Sequence, residues 1–316
     1  MRLPNVLIWH IHGSYLNYIV RAAANFYLPV KPGKPEGYGG KGSTFRWPSN
    51  VWEVPADEVR HLSLDLVIHQ TTKNYYEDQF EILSDEQRRL PRIYLEHNTP
   101  KGHPTDTLHP MANENNVLLV HVTHFNRMMW ESGRCPNIVI EHGVLVDPAI
   151  QYTGEIERGV VVVNGLKRRN RISGYDVWEQ MQQRIPMDLF GMGSEELGGA
   201  GDIPHFDLHR LEARYRFFFN PIRYTSLPLA LVEAMAIGMP IVALATTEVP
   251  TAVENGVNGY VSNDLEYLTE GMQRLLSDRQ EAERMGRRSR EIARDRFSIE
   301  RFARDWERAF ALVMKT

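Results

Sequence analysis

Short runs of β-branched and other apolar residues recur along this chain, and segments of helical periodicity separate them. Buried parallel strands joined by crossover helices read this way, because a strand covered on both faces has no polar side. Residues 6–11, 64–69, 92–95, 117–122 and 137–140 are predicted strands, with helices over 15–24 and through 128–131. A second series begins near Gly159, with strands over 160–163, 187–190, 217–219 and 240–244 and helices over 174–184 and 229–237. Residues 265–310 are almost entirely helical by pattern, and their dense charges read as a solvated face. The expected fold class is α/β with right-handed crossovers, in two domains that meet within residues 147–159. Residues 31–49 break the pattern: five glycines and several prolines make them either a functional lid or a disordered insertion.

Composition then excludes several classes. A chain of 316 residues with 42% apolar content can bury two cores. A net charge of −4 with 24% charged residues argues against nucleic acid as a partner. Cys135 is the single cysteine, so no disulfide forms within the chain. No stretch approaches the roughly 18 apolar residues of a membrane span, and the N-terminus is too polar for a signal peptide. A cytoplasmic protein is expected, with peripheral contact at the inner membrane face left open. No Walker A loop, Gly-x-Ser-x-Gly elbow, Asp-x-Asp pair or complete dinucleotide fingerprint is present.

Residues 217–261 carry the most chemical information. A strand at Phe217 runs into a loop through Arg223 and Thr225, and a helix follows. Ser226 suits its N-cap and Pro228 its first turn, while Gly238 and Pro240 end it. That helix N-terminus lies at the carboxyl end of a parallel sheet, where open α/β sheets bind ligands, and free N–H groups there favour phosphate. Glu233, about two turns in, can accept hydrogen bonds from the vicinal hydroxyls of a ribose. Lys167, Arg168, Arg169 and Arg171 follow another strand, where arginine forks suit phosphate. His10 and His12 lie on one side of the first strand, without an obvious third ligand for a metal.

The run from Ser226 through Glu233, Ala234, Met235, Gly238 and Pro240, continued by Glu254, Gly256 and Gly259, resembles the donor segment of family-four retaining glycosyltransferases (GT-B type, glycosyltransferase group 1). The segment from Ile140 to Asp147 and the Phe297–Trp306 region are similar to that family too. The resemblance is dense from about residue 137 to 310 and thin before it. It implies two Rossmann-like domains facing across a cleft. Residues 1–150 would be the acceptor-side domain, with helix 300–316 packing back on it, and 151–299 the nucleotide-sugar domain. By the same resemblance Glu233 holds the ribose, and the backbone at Ser226 and Leu227 faces the sugar or diphosphate. Lys167, Arg169, Arg171 and Arg223 are candidates for the diphosphate, with Arg169 and Arg171 favoured. His205, with Phe206, lies where family members contact the base, and His97 where a histidine reaches the donor sugar. Gly13 opens the first helix as a weaker candidate for phosphate or acceptor. Thr225 replaces the first glutamate of the family pair, and Pro228 replaces a residue with an N–H.

The resemblance implies transfer of a hexosyl group from a nucleotide-diphosphate sugar to an acceptor hydroxyl, with retention and without a metal. A UDP-sugar is favoured, UDP-glucose among them, and the acceptor is a carbohydrate or lipid-linked molecule of polysaccharide or glycolipid synthesis. The nucleotide sugar is a substrate, so no cofactor is expected. Two other readings stand beside it: a non-catalytic nucleotide-sugar-binding or scaffold protein, favoured by Thr225, and a nucleotide-sugar epimerase. Oligomeric state is not legible.

Overall fold

In the computed structural model, which describes residues 2–315, the chain divides into two compact units, Met1–Gly143 with Ile299–Thr316, and Val144–Ser298. The expected boundary at 150/151 lies just inside the second.

The N-terminal unit runs β1 (Asn5–Ile8), α1 (Gly13–Ile19), β2 (Asn25–Val30), β3 (Val51–Pro55), β4 (Leu66–His69), α2 (Gln79–Ile82), β5 (Arg92–Glu96), β6 (Thr107–Leu108), β7 (Val117–His121), α3 (His124–Met129), β8 (Trp130–Glu131) and β9 (Asn137–Val139). Seven strands form one sheet in the order β3-β2-β1-β4-β5-β7-β9. Each pairing in it is parallel. The inner strands β4 and β7 are buried at every residue, as their unbroken apolar runs require.

Four expectations change here. The first strand stops at Ile8 rather than residue 11. His10 makes an isolated bridge to Gly37 and His12 becomes the extended residue before α1, so the two do not share a strand face. Strands β2 and β3 have no counterpart in the expected set; β3 is an edge strand whose Trp52 is half exposed and stacks on Tyr27 of β2. The helix expected through residue 131 ends at Met129, because Trp130 and Glu131 pair with Thr107 and Leu108. Residues 31–49 have no helix or strand of their own beyond the β2 bridge at Gly39 and the His10 bridge, yet Tyr38 is buried among Trp9, Val59 and Val67.

The C-terminal unit runs β10 (Ile156–Val162), α4 (Leu166–Arg169), α5 (Tyr175–Met181), β11 (Met187–Phe190), α6 (His205–Glu212), β12 (Tyr215–Asn220), α7 (Leu229–Ile237), β13 (Ile241–Leu244), β14 (Gly259–Ser262), α8 (Leu265–Ser277) and α9 (Arg279–Arg296). Its sheet is parallel throughout, in the order β11-β10-β12-β13-β14. The core joins Phe217 and Phe219 of β12 to Trp178 of α5 and to Leu268, Met272 and Met285 of α8 and α9. The tail expected to be almost entirely helical is so, as three helices. Asp278 caps α9 by accepting from the Glu281 N–H at 3.0 Å, which ends α8. A last helix, α10 (Ile299–Val313), returns to the N-terminal unit. It buries Phe302, Trp306, Ala309 and Phe310, one stripe of a helix, against Tyr15 of α1 and Phe26 of β2. Each such aromatic stabilises by about 1.5–3 kcal/mol. Among the described residues no helix is long and apolar enough to cross a membrane.

Candidate functional site

In the C-terminal sheet β10 lies between β11 and β12, so the strand order reverses across the β10/β12 pair. Open α/β sheets take ligands outside the carboxyl ends of strands at such a point. Two loops leave the sheet there, one after each strand, and they are tied together. The Arg223 and Tyr224 amides both donate to the Ile172 carbonyl, at 3.0 and 3.3 Å. Gly174 starts α5 at φ +79°, and a Cβ there would run into the Pro221 carbonyl, so only glycine lets the two loops approach.

Asp176, in the first turn of α5, organises the cations. Arg171 Nη1 donates to its Oδ2 at 2.7 Å and Arg223 Nη2 to the same oxygen at 2.8 Å. The hydrogen-bonded Arg223 holds the Asp176 carboxyl below its ordinary value, against the opposing effect of burial. Arg223 Nη1 also donates to the Arg171 carbonyl at 2.9 Å. Lys167 stands 3.8 Å from Glu196 and is well exposed. Arg169 is partly buried, and burial followed by the Arg168 charge lowers its affinity for a proton. The structure thus brings Arg171 and Arg223 to one carboxylate, a grouping that spacing alone did not reveal.

The helix after β12 differs from expectation at its start. Pro228, at ψ 128°, precedes Leu229, and Ser226 does not cap. The chain is still extended at Pro228, and Ser226 is buried with its carbonyl accepting from Thr247 Oγ1 at 3.0 Å. Thr225 is half-buried and Leu227 buried in the same loop. The far end is as expected: Gly238 takes φ +98° and Pro240 follows.

Glu233 points from α7 to α6, where His205 and His209 lie one turn apart. His205 Nε2 is 3.0 Å from Glu233 Oε1, and His209 Nε2 is 3.6 Å from Oε2. Burial alone would raise the Glu233 carboxyl, but the two imidazoles outweigh it and hold the carboxyl well below its usual range. Burial likewise works to lower His205, and the Glu233 charge and hydrogen bond reverse the outcome to a raised value. Glu212, at the end of α6, is also buried, and its carboxyl is pushed well above the usual range by burial and then by Glu233. The sequence reading found His205 and Glu233 but missed His209 and Glu212, although the His-x3-His spacing was there to see. Among the described residues this cluster, and not His10 with His12, has the spacing of metal ligands.

In the N-terminal unit the order reverses between β1 and β4, and histidines collect where those strands end. His97, one residue past β5, has Nε2 2.9 Å from Gln70 Oε1, and Gln70 Nε2 donates to the Trp9 carbonyl at 2.6 Å. The His97 ring lies 4.1 Å from that of His12 and 4.7 Å from that of Tyr15. Burial, followed by the neighbouring His12 and His142, pushes His97 well below its ordinary value. Burial takes His12 down to about 4. Both imidazoles are therefore neutral at pH 7, acceptors as well as donors. Gly13 opens α1, and a Cβ there would meet Phe45 Cε2 at 2.6 Å. Gln70 was missed because nothing local marks a glutamine that orients a histidine from another strand.

Residues 194–292 match the sequence profile of the family described as Glycosyl transferases group 1. An uncharacterized glycosyltransferase of Haemophilus influenzae is 32% identical over 150 residues, which cover 42% of this chain and 42% of that protein. The chain spans less than half the length of the curated relatives it matches. In fold it is similar to sucrose-phosphate synthase from Thermosynechococcus elongatus, with a TM-score of 0.68 and 15% identity over 99% of this chain and 100% of the other. It is also similar to Anabaena HepE solved with UDP and glucose, with a TM-score of 0.67 and 14% identity over 98% of this chain and 100% of that one.

Proposed function

We propose that this chain, a member of the glycosyl transferases group 1 family through residues 194–292 with the α/β architecture of GT-B proteins, moves a hexosyl group from a UDP-sugar to an acceptor hydroxyl. The observation that supports it best is the switch point of the C-terminal sheet, with paired Arg171 and Arg223 on one loop junction and buried Glu233 on the helix that follows. Arg171, Arg223, Arg169 and Lys167 offer the positive charge a leaving diphosphate needs, and the backbone from Thr225 to Leu227 offers polar groups beside it. Glu233, ionised beside His205, is suited to accept from ribose hydroxyls, and His205 lies at the base end of that same reading. The HepE structures hold UDP and UDP-glucose, which supports uridine as the base and glucose as one sugar.

In the transfer the bond between the anomeric carbon and the diphosphate oxygen breaks, and a bond to the acceptor oxygen forms on the same face. The acceptor proton passes to the departing diphosphate. No metal takes part in this step. Arginine forks held in place by Asp176 stabilise the charge that develops on the diphosphate. His97 is neutral and oriented by Gln70, so it can hydrogen-bond a sugar hydroxyl without adding charge. The product belongs to polysaccharide or glycolipid synthesis. The test is release of UDP from a panel of UDP-sugars with and without glycan acceptors, with the anomeric configuration of the product read by NMR. Acceptor-dependent release with retention is expected. Binding of a UDP-sugar with no turnover on any acceptor would replace this reading by the scaffold one.

A further inference from the structure

We propose that His205, His209 and Glu233 are the protein ligands of a single divalent transition-metal ion, with zinc the best match. His205 and His209 are one turn apart on α6, so both imidazoles leave the same helix face. Glu233 comes to them from α7. Three ligand atoms, one from each residue, lie within 4.8 Å of one another. Around tetrahedral zinc, with bonds of about 2.0–2.2 Å, neighbouring ligand atoms stand about 3.3–3.5 Å apart. The separations from Glu233, 3.0 Å to His205 and 3.6 Å to His209, already bracket that edge. Two imidazoles and a carboxylate are donors that suit zinc and not magnesium or calcium, which take oxygen ligands.

A second observation points the same way. Glu212, three residues after His209, is 1% exposed, and neither carboxylate oxygen has a hydrogen-bond partner. His209 is 3% exposed, and its Nε2 also lacks one. Glu212 lies close enough to Glu233 for the two charges to repel. A buried carboxyl without a hydrogen-bond partner beside a buried carboxylate is costly, since nothing replaces the water Glu212 has lost. A divalent ion among them removes that cost, with Glu212 as a further ligand or as the acceptor for a bound water. The ion has no place in the transfer step, and the proposal does not rest on that reading, although both use Glu233.

The experiment is zinc titration of the full chain after stripping with a chelator, without nucleotide, followed by calorimetry. Cobalt(II) is added in parallel, and its visible spectrum reports coordination. One zinc per chain and intense tetrahedral cobalt bands are expected. His205→Ala and His209→Ala should each weaken zinc at least tenfold, whereas His103→Ala, at an exposed histidine, should leave it unchanged. Thermal melts of the stripped variants check folding, and Glu233→Gln, nearly isosteric, takes over for any variant that fails to fold. No zinc uptake by wild type, or equal uptake by wild type and the cluster variants, overturns the proposal. Nucleotide binding is measured separately, so failure of one site does not mask the other.

Discussion

Acid should weaken the N-terminal unit well before it protonates ordinary carboxylates. His69 and His121 are fully buried, and burial takes each down to about 3, with the Arg92 charge adding for His69 and those of His109 and Arg127 for His121. His12 goes down to about 4. The unfolded chain protonates these histidines near pH 6.5, whereas the folded one does not until pH 4 or below. The unfolded state therefore binds more protons between those limits. Stability is intact above pH 6.5 and is lost as pH falls, until the folded pKa is reached. From pH 7 to pH 5 each histidine costs about 2 kcal/mol, so the three cost about 6 kcal/mol. That is comparable to the whole stability of many domains. The assay is urea denaturation at pH 7, 6 and 5, with hydrogen exchange reporting β4 and β7, since two units need not unfold together. His69 stacks on Trp9 with ring centroids 5.4 Å apart, so His69→Phe keeps a ring in that place. The variant should recover about 2 kcal/mol of the loss at pH 5. An unchanged pH dependence in His69→Phe would refute the argument.

Other outcomes follow from the same structure. Gly286→Ala should destabilise the C-terminal unit by about 2 kcal/mol in denaturant melts, because the added Cβ meets the Gly238 carbonyl where α9 crosses α7. Helix propensity alone predicts a gain of about 1 kcal/mol, so the sign decides between contact and propensity. Asp176→Ala frees Arg171 and Arg223 from their shared carboxylate; UDP affinity should fall about tenfold, or about 1.4 kcal/mol, with uridine affinity little changed in parallel calorimetry. Transfer activity should persist in excess chelator, which a radiolabelled-sugar assay would read directly.

Much of the architecture could be read from the chain because its signals are local. Gly238 and Pro240 end α7 through backbone geometry that no distant contact has to supply. The runs at β5 and β7 are apolar on both faces because those strands are interior. What the sequence hid depends on tertiary placement. Strand β3 carries Trp52 and Glu53 toward solvent, so its pattern is not that of a buried strand. The residues after Ile8 look like more strand, yet the strand ends there, His10 makes only an isolated bridge to Gly37, and Trp9 is buried in one cluster with Tyr38 and Val59. Ser226 has the chemistry of a cap, but Pro228 keeps the chain extended and delays the helix. Candidate donor residues were legible where a strand end and a helix start are adjacent in sequence. Asp176 and Gln70 act through partners on other elements that no spacing rule pairs with them, and the His205-x3-His209 spacing does not reveal that Glu233 of α7 meets both imidazoles.

Calorimetric titration of UDP, GDP and ADP into wild type and Glu233→Gln tests the central claim most directly. UDP is expected to bind wild type in preference to the others, and the variant to lose at least tenfold in affinity while melting at a similar temperature. Absence of nucleotide binding to wild type, or equal UDP binding by both proteins, would contradict it.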